Sequence, residues 1–339
     1  MLSRIILALV AVGAVSLRPR SRLCAAVALG AGATSAALAG NGVAQKATEA
    51  LWPMLAFLTA ALAAAAWAER AGLAERLAES LAAAGRGRTL RLYALVCAAS
   101  SLLTAVVSLD GAVVLMVPVV RSVTRRCGVA SAPFYAGAVA VANAASLAVP
   151  EGNPTNLVVM SRLGVSAHAF LTHLLLPGLC AATLCALVPL GRLGPSRYRA
   201  VSPERPQAER RRLPVPWRIG AQMAGLLGAL DGLVPAIPLH GHGLAALLTV
   251  AAGTGAASAL ANNLPVSASV AALATSGPGA YAALIGLSVG ALATPHGSVA
   301  TLLAHDLAHD EQETRWARFW MPVAAAAVGC ATLVLWAGL

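Results

Sequence analysis

Charged side chains are scarce in this sequence of 339 residues. They make up 11% of it, against roughly a quarter in a typical soluble domain, while hydrophobic residues make up 58% and the mean hydropathy is +0.76. A water-soluble fold cannot bury so much apolar surface, whereas a lipid bilayer accepts it. Because a helical span needs about 20 mostly apolar residues, the composition predicts an all-α polytopic membrane protein.

Aromatic residues and paired cysteines are also lacking. The net charge of +11 would raise nucleic acid as a partner, but aromatics are only 4% and the cations occur in short clusters between apolar runs. This pattern favours positive-inside anchoring, so we expect no nucleic-acid partner. The six cysteines are scattered without a C-x-x-C pair, which fits neither a disulfide framework nor a zinc site.

Sequence motifs of common enzymes are missing. The chain has no H-E-x-x-H, no S-x-x-K and no G-x-x-x-x-G-K-[ST] loop. We therefore predict no catalytic residue, no metal site and no cofactor. Hydrolysis of ATP would require a separate soluble ATPase subunit.

Ten apolar runs follow one another along the chain. They span 5–17, 23–43, 51–68, 92–120, 132–150, 168–190, 219–238, 243–275, 279–303 and 316–338. The first resembles a signal peptide, but no clear A-x-A cleavage site follows it, so we interpret it as a short first span. Between the third and fourth runs, Leu73, Leu77 and Leu81 recur every four residues, which indicates an amphipathic helix on the membrane surface.

The fourth run, 92–120, is too long for one comfortable span and too short for two. Arginine clusters precede and follow it, and both are expected on the cytoplasmic side. Ser108, Asp110 and Gly111 interrupt it. We therefore predict a re-entrant hairpin that turns at 108–111; the alternative, one tilted span, would leave an arginine cluster outside.

The eighth run, 243–275, behaves similarly. It is broken by Asn262, Asn263 and Pro265, and its ends carry no Lys or Arg. This predicts a second hairpin that enters from the opposite side of the membrane.

A broken helix follows each predicted hairpin. The first interruption comprises Pro150, Glu151, Gly152, Asn153, Pro154, Thr155 and Asn156, and the second comprises Thr294, Pro295, His296, Gly297 and Ser298. Proline and glycine at these points end a helix, and the freed backbone groups are tolerated inside a membrane only where they line a polar cavity. Interruptions at corresponding places in two halves indicate the midplane site of a transporter.

The repeated order of hairpin and broken helix divides the chain into two inverted repeats. The first half, 1–190, holds three scaffold spans, the surface helix, a hairpin, a broken helix and a final span. The second half, 219–339, holds one span, a hairpin, a broken helix and a final span, and an Arg- and Pro-rich linker, 191–218, joins the halves.

The cations predict an orientation for this arrangement. With the N-terminus outside, every Lys and Arg except Arg4, Lys46 and Arg162 falls on the inner side. The positive-inside rule therefore places the linker in the cytoplasm and the protein in the cell inner (plasma) membrane.

Several motifs resemble those of the arsenite permease (arsenical pump membrane protein) branch of the ion transporter superfamily. They are E-R-A-G-L at 69–73, D-G at 110–111 with Pro118, A-N-A-A-S-L at 142–147, G-N-P-T-N at 152–156, P-W at 216–217, A-N-N-L-P at 261–265 and T-P-H-G-S-V-A-T-L-L at 294–303. By this resemblance to dicarboxylate and sodium/proton carriers, the two hairpin tips and the two broken-helix loops form the site. Two features depart from the family pattern: Leu109 stands where an Asn is usual, and the second half is short of about two scaffold spans.

Asp110 is the candidate for ion coupling, because a carboxylate inside the membrane is costly and is functional by default. The alternative role is a helix N-cap. Glu151 is equally compatible with the site and with the aqueous end of its half-helix, and Asp231 is expected in a solvated position.

The remaining candidates are neutral or belong to loops. The side chains of Asn153, Thr155, Asn156, Asn262, Asn263 and Ser298 would suit an uncharged polyhydroxyl such as arsenous acid, and equally a carboxylate. His296 is interpreted as a loop residue. The segment 305–313, with its His, Asp and Glu residues, is interpreted as a solvated cytoplasmic connector and not as a metal site.

Together these patterns predict a secondary transporter that exports a small oxyacid, coupled to protons. A carboxylate or sodium/proton carrier of the same superfamily is the alternative within transport. A non-transporting membrane scaffold and an intramembrane enzyme are the alternatives of another class. A homodimer and an ATPase subunit stay open as partners, and the coupling ion is a proton or sodium.

Overall fold

The computed structural model of the protein describes residues 1–194, 196–198, 217–231, 233, 243–273, 277–308 and 313–339. Within these ranges the chain forms helices and turns without a strand. Five helices are long and apolar enough to cross a membrane: Arg22–Ala39, Thr89–Cys127, Ala167–Arg192, Leu244–Ala261 and Arg318–Ala337. The predicted all-α polytopic class is thereby confirmed.

The helices of the first half are α1 (Leu2–Leu17), α2 (Arg22–Ala39), α3 (Asn41–Arg70), α4 (Leu73–Gly85), α5 (Thr89–Cys127), α6 (Ser131–Ala145), α7 (Pro154–Leu163) and α8 (Ala167–Leu187). Those of the second half are α9 (Trp217–Leu230), α10 (Leu244–Ala261), α11 (Asn263–Leu273), α12 (Pro278–Val289), α13 (Val299–Ala308) and α14 (Glu313–Ala337). Short 3-10 turns cover Ser146–Ala148, Pro150–Gly152, Val188–Arg192 and Gly290–Ala293.

The amphipathic helix α4 is turned partly away from the face that its leucines indicate. α4 buries Ala74, Ala78, Leu81 and Ala82, whereas Leu73 is 41% exposed. The buried spacing is still helical, and it places small residues against α5. The small side chains allow α4 to lie close to its neighbour.

The long helix α5 is a hairpin of two antiparallel arms. Ser108 interrupts its helical dihedrals with φ 67° and ψ 169°. A straight helix of 39 residues would be roughly 58 Å long, which would carry its two ends far apart. Instead Arg126, near its C-terminus, forms an ion pair of 2.8 Å with Glu79 on α4, just before α5 begins.

Both arms of this hairpin run along α6. Before the turn, Ser100 donates a hydrogen bond to the Ala138 carbonyl at 2.7 Å. After the turn, Val117 and Val120 line a small gap together with Ala138. The predicted re-entrant hairpin is therefore present, and the turn itself is at Ser108.

The second hairpin consists of α10 and α11. It turns at Asn262, whose φ of 71° and ψ of 143° resemble those of Ser108. Both turns place a non-glycine residue at positive φ, a conformation in which Asn is enriched. Asn262 and Ser108 thus occupy matching places in two hairpins of the same design.

The two broken helices also match each other. Val149 and Thr294 are both extended, with φ near −135°, at the point where α6 and α12 have ended. Three residues later, a side chain at Gly152 would overlap the Ser146 carbonyl oxygen, and one at Gly297 would overlap that of Ala291. Each loop therefore requires glycine at this position.

A scaffold of α1, α2, α3 and α9 packs beside these elements. α2 and α9 approach backbone to backbone: a Cβ on Gly32 would overlap Gly225, and one on Gly225 would overlap the Ala28 carbonyl. Small residues permit such close packing between membrane helices. The single scaffold helix of the second half thus lies against helices from the beginning of the chain.

Many arginines collect on one face of the molecule. Asp306, at the end of α13, pairs with Arg20 and Arg218, and Arg121 donates to the neighbouring Leu307 carbonyl at 2.8 Å. Arg126 reaches α4 on the same face through Glu79. Arg20, Arg121, Arg126 and Arg218 come from clusters that were predicted to share one side of the membrane, and these four side chains lie on one face of the fold.

Candidate functional site

Both hairpin tips and both broken helices meet around one cavity. Its lining consists of Leu109, Asp110, Asn153, Pro154, Thr155, Asn263, Leu264, Ser298 and Val299. The volume of about 10 Å³ is close to the minimum that holds a single water molecule. In this conformation the four segments are in contact, so a substrate would need them to separate.

Asp110 faces this cavity from the first tip. It is 6% exposed, and within the described part of the chain its carboxylate makes no hydrogen bond or ion pair. A helix N-cap would accept a bond from a nearby backbone amide. The structure therefore gives no support to the capping role that was the alternative.

The second tip is held against its own broken helix. Asn262 donates through Nδ2 to the His296 carbonyl at 2.8 Å and accepts the Leu264 amide at 3.2 Å. The backbone amide of Asn263 donates to the Gly297 carbonyl at 2.8 Å. At the first tip, the buried Ser108 hydroxyl has no such bond among the described residues.

Helix N-termini converge on the cavity. Asn153 caps α7 by accepting the Thr155 amide at 3.0 Å, and the Ser298 hydroxyl accepts the Thr301 amide of α13 at 3.1 Å. The second arm of α5 and helix α11 also begin at the tips, beside the cavity. N-termini carry partial positive charge and free amides, so the arrangement favours an anion.

A buried network joins the two broken helices behind the cavity. Asn143 on α6 accepts the Ser298 hydroxyl at 2.9 Å and donates to Thr301 at 3.4 Å. Reciprocally, Ser288 on α12 donates to Asn156 at 3.5 Å. Each repeat thus supplies a polar side chain to the broken helix of the other repeat.

The sequence prediction of the site omitted Asn143, Ser288 and Thr301. Asn143 and Thr301 stood only within motifs, and all three lie in apolar helical runs where a polar residue is easily taken as incidental. One signal was available: Asn143 and Ser288 occupy equivalent places before the two interruptions. An alignment of the two halves would have paired them.

The predicted site residues separate into groups. Asp110, Asn153, Pro154, Thr155, Asn263 and Ser298 line the cavity. Ser108, Gly111, Gly152, Asn156, Asn262, Pro295 and Gly297 are close to it in the chain and support the tips or loops. Thr294 bonds the Ala259 carbonyl at 2.6 Å, Glu151 is exposed and Pro265 faces a different cavity, so these three do not line the central one.

The interpretation of 305–313 as a solvated loop needs correction. His305 and Asp306 belong to α13; His305 is 2% exposed against Trp316, and Asp306 pairs with two arginines. Residues 309–312 lie outside the described residues. In the part that is described, no group of three or more His, Cys, Asp or Glu side chains could hold a metal ion.

Paired hairpins and broken helices that enclose a cavity within a bundle of apolar helices are the architecture of polytopic secondary transporters. In agreement with this class, the family model described as "CitMHS: Citrate transporter" matches residues 4–285. The chain belongs to the citrate transporter family, which is part of the ion transporter superfamily. The superfamily part of the predicted resemblance is thereby confirmed.

A curated relative is itself named as a membrane protein. Over 157 residues the chain is 30% identical to the "46 kDa membrane protein" of Mycobacterium leprae (strain TN). The aligned region covers 45% of this chain and 35% of the relative, so the chain spans about a third of that protein's length.

Proposed function

We propose that this chain carries a small carboxylate of the citrate type across the cell inner membrane, and that Asp110 carries the coupling proton. The observation that supports this most directly is the set of helix N-termini around one cavity in which Asp110 is the ionisable residue of the lining. The N-termini suit the substrate anion, and the carboxylate suits a cation.

Charge balance favours a coupled mechanism. No Lys or Arg is among the lining residues of the cavity, so the anion would be held by amides and hydroxyls such as Asn153, Thr155 and Ser298. An ionised Asp110 would repel a carboxylate that is bound beside it in the same cavity. Protonation of Asp110 would remove this repulsion, so that anion and proton would bind together and cross together.

The movement would occur between the scaffold of α1, α2, α3 and α9 and a unit that holds both hairpins and both broken helices, with the linker 191–218 in the cytoplasm. The reciprocal bonds of Asn143 and Ser288 support this, because they tie the broken helices of the two inverted repeats, 1–190 and 219–339, to each other. Coupling through Asp110 makes an ion gradient the energy source, and the direction of transport follows the gradient.

A small uncharged oxyacid such as arsenous acid is the second candidate. The lining supports this candidate because it provides neutral donors and acceptors, on Asn153, Thr155, Asn263 and Ser298. This substrate needs no compensation of charge, so its flux without a coupled proton would be insensitive to membrane potential. The arsenite permease resemblance of the tips also supports it.

Uptake by proteoliposomes that contain the full chain tests the proposal. Radiolabelled citrate and arsenite are compared under an imposed proton gradient and, separately, an imposed sodium gradient. We expect proton-driven citrate uptake, and we expect Asn263→Leu, which copies Leu109 of the first tip, to abolish it. Thr249→Ala is the control, because Thr249 is exposed on α10 and bonds only its own helix.

Arsenite flux without citrate flux would replace the first candidate by the second. Absence of flux for both substrates, with protein of normal quantity and fold, would contradict transport by this site.

A further inference from the structure

A second and larger cavity opens on the face opposite to the arginine clusters. Its volume is about 300 Å³, and its lining includes Lys46, Glu49, Ser161, Arg162, Asp231 and Leu264. The position follows from α9: Arg218 at its start pairs with Asp306 on the arginine-rich face, while Asp231 follows its end, roughly 20 Å away. We call this cavity the vestibule.

The vestibule collects the few cations of its face. Lys46 and Arg162 line it, and Arg4 donates to the Asp231 carbonyl at 2.6 Å. These are the three basic residues that the charge pattern places outside. With Glu49 and Asp231 the local charge is still positive, and Glu49 accepts a bond from Gln45 at 2.9 Å.

The two lining cations have no partner in the described part of the chain. Within the described ranges, Lys46 and Arg162 form neither a hydrogen bond nor an ion pair, whereas Arg20, Arg126 and Arg218 are each paired with a carboxylate. Both are exposed. Their ammonium and guanidinium groups are therefore available to a ligand carboxylate, for which Arg provides a two-pronged donor.

The vestibule adjoins the central cavity. Leu264, at the second hairpin tip, lines both, and it is 7% exposed. A cavity of about 300 Å³, a size that accepts small ligands, and one of about 10 Å³ thus share an apolar lining residue.

We propose that the vestibule is a docking site for the carboxylate substrate, in which Lys46 and Arg162 bind the anion next to the central site. This inference rests on the proposed function for the identity of the anion. Docking there raises the local concentration of an anion beside Leu264, so that separation of the tips would admit it directly.

Charge-selective labelling of the purified full chain tests docking without transport. Ser161→Cys places a thiol in the vestibule, and its reaction with an anionic and a cationic methanethiosulfonate is followed by peptide mass spectrometry. We expect the anionic reagent to react about three- to tenfold faster after correction with a free thiol, since each exposed charge contributes modestly. Millimolar citrate should slow both reactions, and high salt should weaken the preference.

Lys46→Gln with Arg162→Gln should abolish the preference and the citrate protection. In proteoliposomes the same double variant should raise the KM for citrate about three- to tenfold while the maximal rate is kept. Arg76→Gln with Arg91→Gln, which removes the same number of charges from exposed positions on α4 and α5, is the matched control and should alter neither measurement.

The outcomes separate the two proposals. If the double variant has an unchanged KM for citrate and citrate does not slow labelling at position 161, docking in the vestibule is refuted, while the proposal of citrate uptake is kept. Citrate protection that depends on Lys46 and Arg162, in a protein that transports no carboxylate, supports anion docking and contradicts the proposed function.

Discussion

Replacement of Asp110 by asparagine should remove proton coupling while the protein stays folded. Each pH unit across a membrane provides about 1.36 kcal/mol per proton, which is a tenfold accumulation of substrate. A gradient of about two units therefore sustains up to about a hundredfold accumulation when one proton is coupled. Asn fills nearly the same volume, but its amide cannot take up or release a proton in this pH range. The accumulation ratio of Asp110→Asn should therefore fall to about one.

The structure gives a reason for the variant to fold normally. The Asp110 carboxylate has no hydrogen-bond or ionic partner in the described part of the chain and is 6% exposed, so its replacement leaves no group unpaired. Removal of a charge from the membrane interior is itself favourable, by about 2.5–3.5 kcal/mol on insertion scales. Expression and detergent stability should therefore be at least those of the wild type.

The assay compares gradient-driven accumulation with exchange. Proteoliposomes of wild type and Asp110→Asn are loaded at one pH and diluted into another, and the internal citrate is measured at the plateau. Glu75→Gln, which neutralises a carboxylate on the surface helix α4, is the control and should keep full accumulation.

Full pH-driven accumulation by Asp110→Asn would refute the coupling role. Asparagine caps a helix nearly as well as aspartate, so this result is what a purely structural Asp110 would give. The search would then turn to Glu151, the carboxylate of the first broken helix.

Three further predictions follow from the packing. Gly152→Ala and Gly297→Ala should each abolish transport and lower thermal stability in detergent, because the added methyl overlaps a carbonyl oxygen; Gly13→Ala, with nothing within 4 Å, should leave both unchanged. Asn143→Ala should reduce transport at least tenfold, since it breaks the bond between the repeats, and it should lower thermal stability in detergent less than the two glycine variants do. A loss of stability equal to theirs would refute this. Cysteines in the linker 191–218 should react with impermeant reagents in inverted vesicles only, and labelling of intact cells would reverse the orientation.

The sequence was sufficient to predict both hairpins and both interruptions, because charge, proline and glycine patterns act locally. The exact turn residue was harder to predict at the first tip. Asp-Gly is the stronger local turn signal, yet the backbone turns at Ser108 with φ 67°, a conformation that serine seldom adopts. At the second tip, Asn262 both signals the turn and makes it, so prediction and structure agree.

The contacts between the repeats could not be predicted from local sequence patterns. The pairing of Asn143 with Ser298 joins residues on α6 and at the start of α13, and no periodicity connects them. The vestibule depends likewise on the meeting of α3, α7, α9 and α11. Charge counting placed Arg4, Lys46 and Arg162 on one side, but their convergence required the fold.

The glycine contact between α2 and α9 has a consequence for biosynthesis. Gly32 and its partner Gly225 are separated by about 190 residues, so α2 is made long before the surface on which it packs. At translation rates of about 5–20 residues per second, this delay is roughly 10–40 seconds. During that time the small-residue face of α2 is open to other helices in the bilayer, so assembly of the scaffold should depend on chaperoning by the insertion machinery.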